Sequence, residues 1–307
     1  LLIDFFQSAL SPSLDEIVLA SAWQAIQITL ATALLGWGIC VFAGTILGLI
    51  SSDTFWECYG LTNSIAIYTR RLLAIPRSIH ELVWGLLLQG LLGLSPLVAI
   101  FAISIPYSSL FARVISNQID SLDHSSLVAI RQSGANPIPS LITALTPQLA
   151  PTLLNYSGYR LECSLRGATL LGVFGLGGIG TELQLTLQSL AFKEMWTSLW
   201  ILGITMIVLE QILQIWRGSL FLERKSEQLL ISVVIMSILM GVSLFWLKAL
   251  DLNFLSRLYL HPIYLPTLTE IKQAFLQIPL FQQTITSIVI TFLAAGLAIG
   301  LPPLGLL

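Results

Sequence analysis

Two long stretches of the chain contain no charged residue, and they limit the possible folds more than any other feature. One runs from Ile17 to Ser52 and the other from Leu82 to Ala112. A helix of about 20 apolar residues crosses a bilayer, so each stretch is long enough to do so. Only 10% of the 307 residues are charged, against about 25% in soluble domains. The sequence therefore predicts an all-α, polytopic membrane helical bundle.

Apolar runs separated by polar or proline-rich segments predict seven transmembrane helices. The second charge-free stretch is too long for one span, and it is broken at Gly93-Leu94-Ser95-Pro96. Of the polar segments, Ser51–Pro76 is predicted to be interfacial, and Ser116–Pro139 is too polar to span. The seven predicted spans are Ala22–Ile50, Ile79–Leu94, Leu97–Ile115, Thr146–Leu171, Trp196–Trp216, Leu229–Leu250 and Gln282–Leu301.

Lysine and arginine positions predict the orientation, because these residues concentrate on the cytoplasmic side. Alternating the seven spans puts eight basic residues on one side and four on the other. The first side, with Ser116–Pro139, is therefore predicted to be cytoplasmic, whereas the N-terminus and residues 251–280 are predicted to be outside. The eight are Arg70, Arg71, Arg77, Arg113, Arg131, Arg217, Arg224 and Lys225, and the four are Lys193, Lys248, Arg257 and Lys272.

A weak internal repeat predicts the domain organisation. The segment TILGLI at residues 45–50 ends the first span, and PPLGLL at residues 302–307 ends the last. Transporters are often built from repeated units. We therefore expect residues 1–220 to form a first transmembrane unit. Residues 221–307 would hold a connector, one further span, an outside loop and the start of a second unit, with the chain cut at both ends.

The glycine run near residue 175 fits the pattern G-x-G-x-x-G but does not indicate nucleotide binding. Its glycines are Gly175, Gly177, Gly178 and Gly180. A dinucleotide site needs a preceding strand, and here a membrane span precedes the run. Since glycine permits close backbone approach, the run is interpreted as the close-packed end of a helix.

Three charged residues lie inside the fourth span, where each charge costs roughly 2.5–3.5 kcal/mol. Glu162 and Arg166 are spaced i,i+4 and can pair along the helix. Arg160 points elsewhere and needs another partner, such as a second helix, water or substrate. One interpretation is that all three fix helix contacts. The other is that an arginine faces an anion pathway, since guanidinium matches phosphate and phosphonate oxygens.

No other feature predicts a catalytic or metal site. His80 is interpreted as an interfacial cap at the cytoplasmic start of the second span, and proton coupling is the alternative. The cysteines, Cys40, Cys58 and Cys163, lack metal-ligand spacing. No nucleophile–base pair or P-loop is present, so an enzyme is not predicted. With a net charge of −2, nucleic-acid binding is not predicted either.

The segment Val128–Pro147 resembles a cytoplasmic loop of the permease subunits of binding-protein-dependent ABC importers. That loop carries Glu-Ala-Ala, three residues, Gly and a later Ile-x-Leu-Pro. Ala129, Gly134 and Pro147 stand at the matching spacings, with Val128 in place of the Glu. The resemblance implies that these three residues belong to an ATPase-coupling loop, whose helices dock in a groove of the ATPase.

The region 23–217 resembles the phosphonate-type permeases more specifically. Their pattern R-x-I-P-E-L-V-W is met by 77–84, with His80 in place of Pro. Their later block, from Leu-Pro-Gln to Gly-x-Gly-Gly-Ile-Gly-x-Glu-Leu, is met by 147–183. The matching residues are Pro147, Gln148, Pro151, Tyr156, Tyr159, Arg160, Glu162, Arg166, Ala168, Thr169, Leu171, Gly172, Gly175, Gly177, Gly178, Ile179, Gly180, Glu182 and Leu183.

This resemblance implies a MetI-like permease fold in the bacterial cytoplasmic membrane and an importer for phosphonate or a related small oxyanion. Implied partners are cytoplasmic ATPase subunits, an extracytoplasmic binding protein, and a second permease unit, either fused or as a dimer partner. ATP and Mg²⁺ would be bound by the ATPase, and no cofactor by this chain. The alternatives are another cargo (methionine, polyamine, phosphite or phosphate), an intramembrane enzyme, and a structural scaffold.

The predicted orientation has a direct test. In a chain whose native cysteines are replaced, a cysteine at position 131 should react with an impermeant thiol reagent only from the cytoplasm. A cysteine at position 261 should react only from outside. Labelling of both positions from the same side would mean that the number of spans between them is wrong.

Overall fold

The computed structural model describes residues 2–219, 234, 237–245, 282 and 285–293, and these residues form helices and turns without a strand. Residues 1–261 form one compact unit and residues 262–307 another. The helices of the first unit up to residue 219 are α1 (Leu2–Leu10), α2 (Glu16–Ile50), α3 (Asp53–Glu57), α4 (Ser64–Ser78), α5 (Glu81–Leu92), α6 (Pro96–Ser121), α7 (Ser125–Gln132), α8 (Pro137–Leu171), α9 (Ile179–Gln188) and α10 (Phe192–Ser219).

Within the described part of the chain, three helices are long and apolar enough to cross a membrane, namely α2, α6 and α10. The pair α8 and α9 qualifies as a fourth if counted as one broken span, with a bend of 51°. The predictions for α2, α6 and α10 are thus confirmed. The predicted sixth and seventh spans and the connector fall largely outside the described residues, although 237–245 and 285–293 are helical.

Helix α8 differs from the prediction, because it begins at Pro137 rather than near Thr146. A proline is tolerated in the first turn of a helix, where its missing N–H would have no partner. Pro147 and Pro151 lie inside α8. The helix continues through them because Leu141, Leu145 and other apolar side chains on one face are buried against the bundle.

A stripe of small residues brings α2 and α6 into close contact. Gly36, Cys40, Gly44 and Gly48 recur every four residues, and all four are buried. A Cβ atom added at Gly48 would lie 2.7 Å from the Cβ of Ile115. Small residues at this spacing let two membrane helices approach closely. The close contact between α2 and α6 therefore depends on the absence of side chains at these glycines.

Helices α4 and α5 form a continuous path along α6, broken at Ile79 and His80, which are both extended. At one end of this path Arg70 pairs with Asp120 near the end of α6. At the break, Glu81 meets Tyr107 in the middle of α6. The prediction that α5 starts at the cytoplasmic face is therefore wrong. With 12 residues, α5 is about 18 Å long, too short to cross a core of about 30 Å.

The break leaves two helix ends beside the middle of α6, and side chains satisfy part of their backbone groups. His80 is the N-cap of α5, as predicted, and its ring Nδ1 accepts a hydrogen bond from the Leu82 N–H at 3.3 Å. The Pro76 carbonyl, in the last turn of α4, accepts one from the Trp84 indole at 3.2 Å. Groups without intrahelical partners are thereby paired.

One carboxylate, that of Asp120, joins α2, α3, α4 and α6 at the end of the bundle next to α7. Its Oδ1 accepts hydrogen bonds from the Ser52 hydroxyl at 2.7 Å and from the Thr54 N–H and hydroxyl at 3.2 and 3.0 Å. Its Oδ2 pairs with Arg70 at 2.7 Å, and Arg70 also pairs with Asp53 at 2.9 Å. We call these five residues the Asp120 cluster.

The helix contact of α2 and α6 generates a stability prediction. Replacing Gly48 with leucine should lower the free energy of unfolding by about 1–3 kcal/mol, the usual cost of overpacking. The matched control is Gly203→Leu on α10, where nothing lies within 4 Å of an added Cβ. Thermal unfolding in detergent measures both. Equal stability of the two variants would show that the α2–α6 contact can open without cost.

Candidate functional site

Arg160 lies among three tyrosines halfway along the bundle. Its guanidinium carbon is 4.9 Å from the ring centroid of Tyr156, 5.1 Å from that of Tyr107 and 5.7 Å from that of Tyr159. These distances are in the range of cation–π contacts. The guanidinium also donates to the Tyr156 hydroxyl, with Nε at 2.9 Å. We call Arg160 and these tyrosines the tyrosine cage.

The cage leaves Arg160 without a counter-ion among the described residues. Its hydrogen-bond acceptor is a phenol and its other contacts are ring faces. A guanidinium carries five N–H donors in a planar fork, so Tyr156 satisfies part of this capacity. Arg160 is half-buried. The bond to Tyr156 therefore leaves further N–H donors of Arg160 for another acceptor.

Three helices position the cage, and each does so through apolar packing. Leu161 and Leu165 anchor this part of α8 in the core, so Arg160 projects from the neighbouring face. On α6, Phe111 packs against α2 and stacks on Tyr156 at 5.5 Å. Tyr107, one turn before Phe111, carries the third ring. The side chains of the cage are thus held by the same helix contacts that hold the core.

The predicted ion pair on α8 is present. The Arg166 guanidinium contacts the Glu162 carboxylate at i,i+4. Arg166 is 65% exposed and Glu162 is 26% exposed, so the pair lies at the edge of the bundle rather than in its core.

The glycine run forms a tight turn between α8 and α9. Gly175, Gly177 and Gly178 have φ values of +83°, +96° and +85°, which only glycine adopts without strain. Gly180 packs directly against the Thr169 carbonyl of α8. The Ile179 N–H donates to the Thr29 hydroxyl on α2 at 2.9 Å. The run is therefore a close-packed helix end, as interpreted from the sequence, and no strand precedes it in the described residues.

The predicted coupling residues lie in α7, in the turn after it and in α8, at the end of the bundle opposite α9. Ala129 is in α7, and Gly134 follows this helix with a φ of +89° and no atom within 4 Å of an added Cβ. Pro147 lies inside α8 rather than in a loop. Val128, in place of the usual Glu, is 50% exposed. The surface of α7 is therefore open in this chain.

Arg131 and Cys58 fix α7 against α3. The Arg131 guanidinium donates to the Cys58 carbonyl at 2.8 Å and to the Ala135 carbonyl at 2.6 Å. Burial raises the pKa of the Cys58 thiol above its usual value, while the charge of Arg131 acts in the opposite direction. These contacts connect α7 to the segment that carries Ser52, Asp53 and Thr54 of the Asp120 cluster.

Asp123 stabilises the start of α7. Its carboxylate accepts hydrogen bonds from the Ser125 hydroxyl at 2.7 Å and the Ser125 N–H at 3.0 Å. These bonds, the hydroxyl first, lower the pKa of the carboxyl below its usual value. The contribution to folding is therefore present at neutral pH and is lost as the pH falls through the lowered pKa.

A cavity of about 370 Å³ lies between α2, α6 and the first half of α8. Its walls are aliphatic and aromatic, with hydroxyls from Thr45, Thr146 and Ser157 as the polar side chains. The walls carry no charged side chain, and the indole N–H of Trp37 already donates to the Ser157 carbonyl at 2.7 Å, so they offer little to an oxyanion. The charge-bearing cage and this apolar cavity are thus lined by different residues.

Comparison with curated proteins finds similarity to permease proteins of phosphorus oxyanion transport systems. A phosphite transport system permease protein of Stutzerimonas stutzeri is 28% identical over 166 residues, covering 54% of this chain and 59% of that protein. A putative cryptic phosphonate transport system permease protein of Escherichia coli K12 is 30% identical over 93 residues, covering 30% of this chain and 76% of that protein. No family model matches the chain.

A third relative and two solved structures extend the comparison. A phosphate-import permease protein of Mycolicibacterium smegmatis is 28% identical, covering 40% of this chain and 23% of that protein. A chain of an inward-facing methionine ABC transporter superposes with a TM-score of 0.54 at 18% identity, covering 67% of this chain and 98% of that chain. A chain of an amino acid ABC transporter superposes with a TM-score of 0.53 at 17% identity, covering 65% of this chain and 94% of that chain. These structures share the fold.

Sequence reasoning missed two parts of this site. Tyr107 carries no signal of its own, because an aromatic residue in an apolar run is usually core. Glu81 stands in the sequence only as the acidic residue of the motif at 77–84, and the break between α4 and α5 places it against Tyr107. The recurrence of small residues at 36, 40, 44 and 48 was a readable signal for the α2–α6 contact.

The hydrogen bond from Arg160 generates a prediction for the cage. Tyr156→Phe keeps the ring but removes the acceptor, and bonds to charged groups contribute about 1.5–3 kcal/mol. We expect a loss of that size in the free energy of unfolding, measured in detergent. Tyr68→Phe is the control, since Tyr68 is 71% exposed, and it should change stability by less than about 0.5 kcal/mol. Equal effects would contradict the assigned bond.

Proposed function

We propose, from the premise that this chain belongs to the family of phosphonate- and phosphite-transport permease proteins, that it forms the membrane pathway of an ATP-driven importer for phosphonate or a related small oxyanion. The chain is a transport component rather than an enzyme. Its place would be the bacterial cytoplasmic membrane. The chain spans 59% of the phosphite relative and 23% of the mycobacterial one, so the activity of the whole transporter is part of the proposal.

The observation that carries the oxyanion assignment is the unpaired charge of Arg160. A positive charge inside a membrane bundle is costly, and such residues mark substrate or ion paths. In the described residues its partners are phenols, which do not neutralise it. A lone guanidinium would repel a cationic polyamine, and it would repel the ammonium group of a zwitterion such as methionine. A phosphonate carries only negative charge and can bind the guanidinium through two oxygens at once.

The transport cycle would use both ends of the bundle. An external binding protein would deliver the oxyanion near the α8–α9 turn, and ATPase subunits would bind the open surface of α7. ATP and Mg²⁺ would act in the ATPase. The contacts of Arg131 with the segment after α3, together with the Asp120 cluster, offer a mechanical path from α7 to α2 and α6. Glu162 and Arg166, at the edge of α8, would line a path shared with a second permease unit.

The proposal is tested by growth and uptake. A bacterium lacking its own phosphonate importer should take up labelled methylphosphonate when it expresses this permease with the ATPase and binding protein encoded beside it. Uptake should stop when the ATPase is inactivated. Normal expression without uptake of methylphosphonate, phosphite or phosphate would contradict the proposal, and uptake of methionine alone would favour the alternative cargo.

Arg160 should be needed for transport beyond what its hydrogen bond to Tyr156 contributes to folding. Arg160→Leu removes the charge and should reduce uptake at least tenfold, since one bond to a charged group is worth about 1.5–3 kcal/mol. Arg160→Lys keeps the positive charge but loses the planar guanidinium that binds two oxygens at once, and it should retain part of the uptake. Detergent unfolding of both variants controls for stability. Normal uptake by Arg160→Leu would show that this arginine only packs.

Gly134 should be needed for coupling. Leucine at a φ of +89° would strain the turn after α7, and we expect substrate-stimulated ATP hydrolysis by the reconstituted complex to be lost. Gly93→Leu is the matched control, because Gly93 has a φ of +76° and equally open surroundings but lies at the other end of α5. If both variants lose stimulation equally, strain rather than docking explains the loss.

A further inference from the structure

Glu81 is an acidic side chain at the α4–α5 break that has no lysine or arginine partner among the described residues. Its side chain is 13% exposed. Its Oε1 accepts a hydrogen bond from the Tyr107 hydroxyl at 3.2 Å, and no Lys or Arg of the described chain pairs with it. The His80 Nδ1 lies 3.4 Å from Oε2, but that nitrogen accepts from the Leu82 N–H and so carries no proton in this tautomer. The carboxylate therefore has unused acceptor capacity.

Tyr107 places this carboxylate beside the tyrosine cage. The ring of Tyr107 contacts the Arg160 guanidinium, with 5.1 Å from Cζ to the centroid, while its hydroxyl contacts Glu81. One phenol thus separates a group that only donates hydrogen bonds from a group that, when ionised, only accepts them. A Cβ atom added at Gly167 of α8 would lie 3.7 Å from both the Glu81 Cγ and the Tyr107 hydroxyl. Because this residue is a glycine, position 167 places no side chain next to these two groups.

A protonated oxyanion matches this pair of groups. A phosphonate or phosphite monoanion presents charged oxygens, which accept from a guanidinium, and one P–OH, which donates. A sulfonate of the same charge presents acceptor oxygens only. Beside an ionised Glu81, the sulfonate would leave two acceptors facing each other, and an unpaired buried polar group costs more than a weak bond. Sites built to hydrogen-bond a substrate OH reject analogues that lack it.

We propose that Glu81 accepts the hydrogen bond of the substrate P–OH and makes the pathway selective for oxyanions that carry a proton. This inference rests on the proposed function, because Arg160 must bind the charged oxygens. In the substrate-free chain the Tyr107 hydroxyl donates a hydrogen bond to the Glu81 carboxylate. When substrate binds, its P–OH replaces the Tyr107 hydroxyl as the donor to Glu81. The Tyr107 hydroxyl then donates to its second acceptor, the Cys163 carbonyl, which lies 3.5 Å away.

Two matched anions test the proposal. Methylphosphonate and methanesulfonate have the same methyl group, and in the pH range where methylphosphonate is a monoanion they have the same charge. Binding of each to the purified permease–ATPase complex, without the binding protein, is measured by calorimetry. The unaltered complex should prefer methylphosphonate by about tenfold or more. Glu81→Gln, which removes the negative charge, should bind methanesulfonate more tightly and lose most of the preference.

The outcomes separate this proposal from the function on which it rests. Equal affinities in the unaltered complex would overturn the role of Glu81 while leaving Arg160 as the anion site. A preference that Glu81→Gln retains would also overturn it, since a merely structural glutamate changes both affinities alike. If neither anion binds, or if Arg160→Leu binds both normally, the anion pathway itself is wrong. The comparison in the unaltered complex holds even if Glu81→Gln fails to fold.

Discussion

The close contact between α2 and α6 is the constraint on which the rest of this structure depends. Glycine at 36, 44 and 48 lets the two helices meet without intervening side chains on α2. Because membrane helices associate through packing rather than hydrophobic exclusion, that fit sets where α6 stands. The position of α6 in turn places Tyr107 and Phe111 against α8, and Asp120 within reach of α3 and α4. The charged cage and the open surface of α7 are therefore connected through one helix pair.

The polar groups of the bundle divide into those that are fully paired and those that are not. Asp120 receives four hydrogen bonds or ion-pair contacts, from Ser52, Thr54 and Arg70, which suits a structural junction. Arg160 and Glu81 instead contact the ring and the hydroxyl of Tyr107. Among the described residues, Arg160 has no carboxylate partner and Glu81 has no lysine or arginine partner. A charge kept in a bundle without a partner is better explained by a ligand than by folding. Arg160 and Glu81, whose hydrogen-bonding capacity is only partly used within the chain, are therefore the residues proposed to bind substrate.

Much of the fold could be predicted from the sequence because charge-free runs and membrane spans coincide. The spans at α2 and α6 follow from that rule, and the span at α10 follows from a long apolar run that contains only Glu210 as a charge. The i,i+4 pair of Glu162 with Arg166 follows from the spacing of the two residues. The start of α8 could not be predicted, since prolines at 137, 139, 147 and 151 normally indicate helix ends, and only tertiary packing of Leu141 and Leu145 offsets them. The depth of Glu81 was missed for a similar reason: Arg77 and His80 suggest an interface, whereas the break at 79 and 80 lies beside the middle of α6.

The most direct test of the central claim is a cryo-electron microscopy structure of the assembled transporter with methylphosphonate trapped inside. The account predicts density for the oxyanion at hydrogen-bond distance, about 3 Å, from the Arg160 guanidinium, with Tyr156 no longer its acceptor. Density at another site in the bundle, with Arg160 still bonded to Tyr156, would contradict it.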